Sequence, residues 1–441
     1  MAAAEEMDHI SDLPHCIVEN ILVRLPIRDA IRSSILSRKW RYRWSSITHL
    51  VFNDDCIKPR HNSASRASRL IDFVTRALFL HQGPIHKFSL SSRYLHCLPE
   101  VDQWILFLSR SHLKELILQL GEIEWYRVPS SLFTFHKLTH LELHRCEFEP
   151  PPSFNGFSFL KTLNLHQVLV IPEALESLIS SCPILENLSL SYFDHFCLRI
   201  TAPNLKHLNL EGEIKDLILE NTPRLISMSV AVYMTDEIAD RADQTQSSNF
   251  SKFLGFVPNL ERLIGQIYFT KYLSIGDDNP KLPITLNHLK VIELYEVSFD
   301  DVNEIRVVLN LITNSPNLLE LHVSGSSSGG IVREDLGFWE EERARVFGLG
   351  VLRVVKIIDF SGVPHEMEFV KFLLENSPVL EKMAISPSAC TDSDKLAMLI
   401  QLLKLRRASS RAHISFVNLC TAIDDHYATL ELPFGECSFA E

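Results

Sequence analysis

The stretch PILENLSL, residues 183–190, carries leucine at its third, sixth and eighth positions. The last two leucines alternate with polar residues, which is the period of a β-strand with one buried face. The frame returns as PNLLELHV at residues 316–323 and as PVLEKMAI at residues 378–385, with apolar side chains at the same three positions. A proline followed by one short strand is therefore a unit that the chain uses repeatedly.

The inner part of this frame, L-x-x-L-x-L, recurs through the middle of the chain. Its first leucines stand at Leu113, Leu138, Leu160, Leu185 and Leu205, so the spacings are 25, 22, 25 and 20 residues. One strand per unit at this period is the signature of leucine-rich repeats. The alternative is a set of ordinary amphipathic strands, but such strands would not explain the recurring proline frame.

The segments between strands predict helices. PEALESLISSCP begins with Pro172 in a first turn, DDVNEIRVVLNLITNSP begins at Asp300 or Asp301, and PHEMEFVKFLLENSP ends before Pro378. The predicted fold class is α/β, an irregular leucine-rich-repeat solenoid with parallel strands inside and helices outside. Two Ser-, Gly- and charge-rich segments, residues 240–249 and 324–343, are predicted to be loops.

Composition restricts the class of protein. The 441 residues carry a net charge of −12 and are 46% hydrophobic, which is enough for a large core. No apolar run reaches membrane-spanning length, and the acidic start resembles no signal peptide. The nine cysteines are scattered, which fits a reducing compartment. We expect an intracellular protein, in the nucleus or the cytoplasm, with no membrane partner.

The N-terminal segment is the basic exception. Residues 24–43 hold seven Arg or Lys against Asp29 alone. Residues 11–45 read as three short helices, the last of them SRKWRYRW (residues 37–44), in which Trp40 and Trp44 would share one face. Basic and aromatic residues together could bind nucleic acid. However, buried Trp rings cannot stack on bases and the rest of the chain is acidic, so we predict no nucleic-acid partner.

Motifs for catalysis are missing from the sequence. HEMEF, residues 365–369, lacks the second His of a zinc protease, and the GSSSGG stretch lacks the ending of a phosphate loop. We therefore predict no catalytic residues, no metal site and no cofactor.

The open face of the repeat strands offers candidate binding residues. Period-2 alternation directs the residues that flank the second and third leucines of each unit away from the core. The candidate substrate face consists of His140, His144, Asn164, His166, Asn187 and His207. These side chains could meet a phosphorylated or acidic motif or a small ligand, or they could form a plain polar surface.

The N-terminal sequence ISDLPHCIVENILVRLPIRDAIRSSILSRKWRYRW, residues 10–44, closely resembles the F-box of plant F-box/leucine-rich-repeat proteins. Residues 352–386 and 402–416 resemble the FBD domain found at the end of many such proteins. We therefore expect the chain to begin with a flexible segment at 1–10 and an F-box at 11–46. Repeats would follow at 47–345, then an FBD domain that continues the solenoid at 346–425, and a tail at 426–441.

The resemblance implies an adaptor rather than an enzyme. F-box domains bind the Skp-type linker of cullin–RING ubiquitin ligases, and the repeats then hold a protein substrate. Carried over to this chain, the Skp-binding residues would be Leu13, Pro14, Ile17, Ile21, Leu22, Leu25, Pro26 and Ala30. The alternative is a leucine-rich-repeat interaction scaffold that does not engage Skp.

Overall fold

The computed structural model divides the chain into two compact units, Met1–Arg224 and Leu225–Glu441. The structure describes residues 13–57, 63–95, 99–121, 124–234, 253–275, 285–326, 336–345, 349–388 and 392–416. The flexible start predicted at 1–10, the loop predicted at 240–249 and the tail predicted at 426–441 lie outside these ranges.

The first unit begins with two short helices that each follow a proline. Helix α1 spans His15–Val23 after Pro14, and helix α2 spans Ile27–Arg32 after Pro26. A proline before a first turn costs nothing, because the amide that it removes has no partner inside the helix.

The third helix predicted at residues 37–44 does not form. Turns occupy residues 38–42, and a 3-10 helix follows at Arg43–Ser46. Trp40 and Trp44 are nevertheless both buried. A helix of eight residues has marginal stability on its own. The packing of the two indoles therefore determines the backbone conformation here, and helical spacing does not.

The helical segment is joined tightly to the first repeat strand, β1 (His49–Asn53). The Ser45 carbonyl accepts the Gln82 amide at 2.8 Å and the Gly83 amide at 3.2 Å. A Cβ atom at Gly83 would lie 2.9 Å from the Ser46 Cα and carbonyl oxygen. Only glycine therefore permits this close approach of the two backbones.

A parallel sheet forms the body of the first unit, in the order β1-β2-β3-β5-β7-β8-β9. The strands after β1 are β2 Lys87–Ser91, β3 Glu115–Gln119, β5 His140–His144, β7 Thr162–His166, β8 Asn187–Thr201 and β9 His207–Glu220. A separate parallel pair joins β4 (Tyr126–Arg127) to β6 (Cys146–Glu147). The helices are α3 Ser63–Leu80, α4 Pro99–Ser109 and α5 Pro172–Ser180.

The repeat leucines form the core of this unit. In β5 and β7 buried leucines alternate with half-buried polar residues. Strands β8 and β9 begin in the same way, but they continue for 15 and 14 residues through register shifts after Ser191. The prediction of one short strand per unit is therefore wrong for these two.

The second unit repeats the parallel arrangement, in the order β10-β11-β12-β13-β14-β15-β16. Its strands are β10 Ser227–Val232, β11 Arg262–Ile267, β12 Val291–Ser298, β13 Glu320–Ser326, β14 Val354–Phe360, β15 Lys382–Pro387 and β16 His413–Phe416. Its helices are α6 Phe269–Ser274, α7 Val302–Thr313, α8 Leu336–Arg345, α9 Pro364–Asn376 and α10 Asp392–Leu403. The α/β class with parallel strands is confirmed.

Three predicted helices are confirmed as α5, α7 and α9, and Asp301 caps α7 by accepting the Asn303 amide at 2.9 Å. The loop predicted at 324–343 is wrong at both ends. Residues up to Ser326 complete β13, and α8 starts at Leu336. Trp339 anchors α8, since its buried indole donates to Nδ1 of His365 at 2.9 Å.

Candidate functional site

The structure distributes the predicted Skp-binding residues between surface and interior. Pro14, Ile17, Ile21, Leu25 and Pro26 are exposed and Leu13 is half-buried. Leu22 and Ala30 are fully buried within the helical segment. A side chain that already fills its own core cannot pack against a partner, so we leave Leu22 and Ala30 out of the candidate surface.

Sequence reasoning missed two strongly exposed apolar residues in the same segment. Ile35 is 83% exposed and Leu36 is 68% exposed. Ile35 is the last residue of the 3-10 helix Ser33–Ile35 that follows α2, and Leu36 comes directly after it. A 3-10 helix displaces side chains from the face that α-helical spacing predicts. Exposed neighbouring isoleucine and leucine mark an interaction surface more strongly than a single apolar residue would.

Two of the predicted Skp-binding residues line a cavity. Leu25 and Pro26, together with Arg28, border a space of about 490 Å³ against His49 and Val51 of β1. The apolar surface of the α1–α2 corner is thus divided. Ile17 and Ile21 belong to the exposed side of α1, whereas Leu25 and Pro26 line the cavity toward the first repeat.

The basic stretch gives no support to a nucleic-acid site. Arg38, Lys39 and Arg41 are exposed, but Trp40 and Trp44 are buried. The residues that would stack on bases are therefore out of reach, and the exposed cations form a solvated surface.

The candidate substrate residues lie side by side on the sheet of the first unit. Strand register aligns His140 with Thr162, Asn187 and His207, and it aligns His144 with His166 and Ser191. His207 is exposed and the other five candidates are half-buried. The face is continuous from β5 to β9, and its members contact one another.

Glu142 is the centre of these contacts, although it is not one of the six predicted candidates. Its Oε1 lies 2.9 Å from His144 Nε2 and 2.8 Å from Gln119 Nε2. Its Oε2 lies 3.4 Å from Asn164 Nδ2 and 3.5 Å from His140 Nε2. Burial would raise the pKa of Glu142, but hydrogen bonds from His140 and His144 outweigh it and hold the pKa far below its usual range. Glu142 is thus an ionised acceptor that orients its four neighbours.

Aromatic rings extend this network toward β8. The rings of His144 and His166 are 4.9 Å apart, and the His166 ring meets Tyr192 edge-on at 4.7 Å. Burial, followed by the charge of His144, lowers the pKa of His166 to about 4. His166 is therefore neutral near pH 7.

The residue that directly follows the five-residue core of β5, β7 and β8 adopts a left-handed backbone. In the first unit these positions are Arg145, Gln167 and Tyr192, with φ of 52°, 49° and 59°. We call these three residues the left-handed row. Glycine is usual at such angles, so the retention of three large side chains is a reason to look for function here.

Contacts along the left-handed row hold it together and extend it by one aromatic residue. Arg145 Nη1 donates to Gln167 Oε1 at 3.2 Å, and its guanidinium lies 5.3 Å from the centre of the Trp125 ring. Trp125 comes just before β4, whose Tyr126 amide donates to the Arg145 carbonyl at 3.2 Å. Trp125 therefore stands at one end of the row and Tyr192 at the other.

The second unit contains a related carboxylate on its own sheet face. Glu293 Oε1 accepts from Arg262 at 2.6 Å, and Glu293 Oε2 accepts from Tyr295 at 2.8 Å and lies 3.8 Å from His322. Burial opposes ionisation, but the hydrogen bonds lower the pKa of Glu293 to about 2. An ionised glutamate with little exposed surface and a histidine neighbour is therefore a feature of both units.

In the part of the chain that the structure describes, no group of three His, Cys, Asp or Glu side chains could hold a metal ion. No helix within the described ranges is long and apolar enough to cross a membrane. Free thiols are found at Cys16, Cys56, Cys146, Cys182 and Cys197.

Three family models match the chain. The model described as "FBD-associated F-box protein At5g56370, LRR repeats" matches residues 101–323, the FBD model matches residues 349–385 and the F-box domain model matches residues 10–50.

Curated relatives match along nearly the whole length. The F-box/FBD/LRR-repeat protein At1g13570 of Arabidopsis thaliana is 54% identical over 414 residues, which cover 94% of this chain and 99% of the relative. The FBD-associated F-box protein At5g22730 of the same organism is 27% identical over 460 residues, covering 92% of this chain and 94% of the relative.

Proposed function

Because the chain belongs to the F-box/FBD/LRR-repeat protein family, we propose that it is the substrate-recognition adaptor of an SCF-type cullin–RING ubiquitin ligase. In this function the F-box binds a Skp-type linker, and through it cullin, while the repeats bind a target protein. The chain itself supplies no catalytic residue, cofactor or metal, and it acts in the nucleus or the cytoplasm.

The observation that carries the proposal is the apolar surface that the F-box leaves uncovered. Ile17 and Ile21 lie one turn apart on α1, where side chains four residues apart are neighbours. Both are exposed, as are Ile35 and Leu36. In a segment this small, so much exposed apolar surface is best explained by a partner that covers it.

Co-purification with a Skp-type linker tests this function. Ile17→Asp combined with Ile21→Asp should abolish linker binding, because two charges would be buried without partners at the interface. Leu22→Asp is unsuitable, since Leu22 is buried inside the F-box and the variant would unfold it. Phe256→Asp, at an exposed apolar residue of the second unit, is the matched control and should leave linker binding unchanged.

The competing function is a repeat scaffold that does not engage Skp. It would be favoured if the unaltered chain failed to co-purify with the linker, or if the double variant still bound it. Binding by the unaltered chain and the control alone, followed by ubiquitination in a reconstituted ligase, would support the adaptor.

The target-binding part of the proposal rests on the face around Glu142. Its half-buried polar side chains are held in place before any partner arrives, which reduces the entropy lost on binding. Asn, Ser, His and Tyr side chains on rigid strands offer adaptable hydrogen bonds together with aromatic contact area.

A further inference from the structure

The edge that runs from Trp125 through the left-handed row to Tyr192 is a surface with exposed rings at both ends. Trp125 is 38% exposed and Tyr192 is 45% exposed. Between them Arg145 and Gln167 are half-buried and bonded to each other. A non-glycine residue keeps a left-handed backbone conformation only when contacts with the surrounding structure hold it there. Tyr192 is held by the edge-on contact of its ring with His166.

Charge along this edge is unbalanced toward negative. Glu124 and Glu147 stand at the Trp125 end, beside β4 and in β6, and both have accessible surface. At the Tyr192 end the register places Glu211 opposite Ser191, and Asp194 is exposed two residues after Tyr192. Two cations offset them: the Arg145 guanidinium lies over the Trp125 ring, and Arg127 of β4 is already paired with another carboxylate, Glu149.

From this arrangement we infer that the Trp125–Tyr192 edge binds a basic, lysine- or arginine-bearing extended segment of the target protein. The inference rests on the proposed adaptor function for its biological meaning, but not for its chemistry. A cation over a Tyr or Trp face is attracted to the ring, and neighbouring carboxylates add Coulomb attraction along the same path. The Arg145–Trp125 pair demonstrates this cation–ring contact within the site itself.

Other ligand chemistries fit less well. An acidic or phosphorylated segment would face Glu124, Glu147, Asp194 and Glu211. Arg145 offsets them only in part, since Arg127 is paired with Glu149, and the chain as a whole carries −12. A neutral apolar segment would use the rings but gain nothing from the carboxylates. Long-range attraction by an acidic body also favours association with a basic partner.

The test measures binding of three labelled decapeptides to the full chain by fluorescence anisotropy. One peptide is rich in Lys and Arg, the second in Glu and phosphoserine, and the third is neutral and rich in proline. The basic peptide should bind most tightly, and its binding should weaken as salt is raised, because exposed charges are screened.

Site variants separate this edge from general attraction to an acidic protein. Tyr192→Ala and Trp125→Ala should each weaken binding of the basic peptide roughly tenfold. Tyr268→Ala is the matched control, since Tyr268 is 47% exposed but lies in the second unit. It should leave the affinity unchanged. Asp194→Asn should weaken binding at low salt and have little effect at high salt.

Several results would overturn the inference: equal binding by Tyr192→Ala, preference for the phosphorylated or the neutral peptide, or no binding of the basic peptide. These outcomes are independent of the F-box. A chain that binds the basic peptide but no linker would refute the adaptor function alone, and the reverse result would refute the peptide site alone.

Discussion

The imidazole of His144 reaches back within its own strand to Glu142, with Nε2 2.9 Å from Oε1. Because the same carboxylate also accepts from Gln119 and Asn164, one ionised side chain links three strands of the first sheet. Removing its charge should therefore affect stability as well as binding.

We expect Glu142→Gln to lower the free energy of unfolding by about 1–3 kcal/mol at neutral pH, since hydrogen bonds to a charged group are lost. The folded-state pKa of Glu142 is depressed, so its contribution is present above the unfolded pKa near 4.5 and is lost as pH falls below that value. Urea unfolding of both proteins should show a difference at pH 7 that narrows in strong acid. A difference independent of pH would mean that Glu142 is not ionised in the fold.

His166 predicts a pH dependence of the same sense in a higher pH window. Folding lowers its pKa from the ordinary 6.5 to about 4. Between these two pH values His166 is mostly protonated in the unfolded chain and mostly neutral in the folded chain. Stability should then decrease as pH falls, by about 2 kcal/mol near pH 5. His166→Gln should flatten the melting-temperature profile between pH 7 and 5.

Two other histidines limit how far the slope of melting temperature against pH can flatten in this variant. The pKa of His81 is also lowered by burial, so part of the slope should survive in His166→Gln. Burial lowers the pKa of His86 as well, so it too should contribute to the residual slope. Identical profiles for His166→Gln and the unaltered chain would contradict the prediction.

Core and face residues of the same strands should respond differently to alanine. Leu141, Leu163 and Leu188 are buried, so each Leu→Ala change should cost about 2–5 kcal/mol. His207→Ala should change stability by less than about 0.5 kcal/mol, because that side chain is exposed. His144→Ala and Asn164→Ala should fall between these values, since both contact Glu142. Chemical denaturation of the three classes of variant measures the order.

Alanine at the remaining face residues should separate target binding from linker binding. His140, His166 and Asn187 belong to the sheet and lie outside the F-box. We expect their triple alanine variant to keep linker co-purification but lose target ubiquitination. Unchanged ubiquitination would move the target site to another surface.

Residues 1–46 alone should be largely unfolded and should gain helix when a Skp-type linker is added. The fragment loses the amide partners of the Ser45 carbonyl, and it is too small to bury much apolar surface by itself. Circular dichroism with and without the linker measures both effects. A cooperative thermal transition of the isolated fragment would be inconsistent with this expectation.

Much of the fold follows from the leucine frame, because burial of one face fixes strand register. The frame located β5, β7 and the starts of β8 and β9. One proline located the start of α5, and another located the end of α9. Alternation also separated the inward leucines from the outward histidines. These features depend on local patterns that a single sequence contains.

The features that sequence reasoning missed depend on distant contacts. No glycine in the sequence indicates the left-handed backbone of Tyr192. The burial of Trp339 depends on His365, which lies 26 residues away and accepts a hydrogen bond from the indole. The turn at residues 38–42 replaces a helix because two indoles pack inward. The central role of Glu142 requires knowing that Gln119 and Asn164 lie on neighbouring strands.

In the proposed adaptor function, Gly83 has a consequence for the geometry of ubiquitin transfer. The backbone of Gly83 lies directly against Ser46 with no side chain between them. The F-box therefore packs directly on the first repeat strands and is not joined to them by a flexible linker. In an assembled ligase, a target on the Trp125–Tyr192 edge would then stand at a constant offset from the linker. Lysines on one zone of the target would be within reach of the conjugating enzyme, and those elsewhere would be spared. Gly83→Ala would tilt that offset and change which lysines are modified, even with both binding surfaces intact.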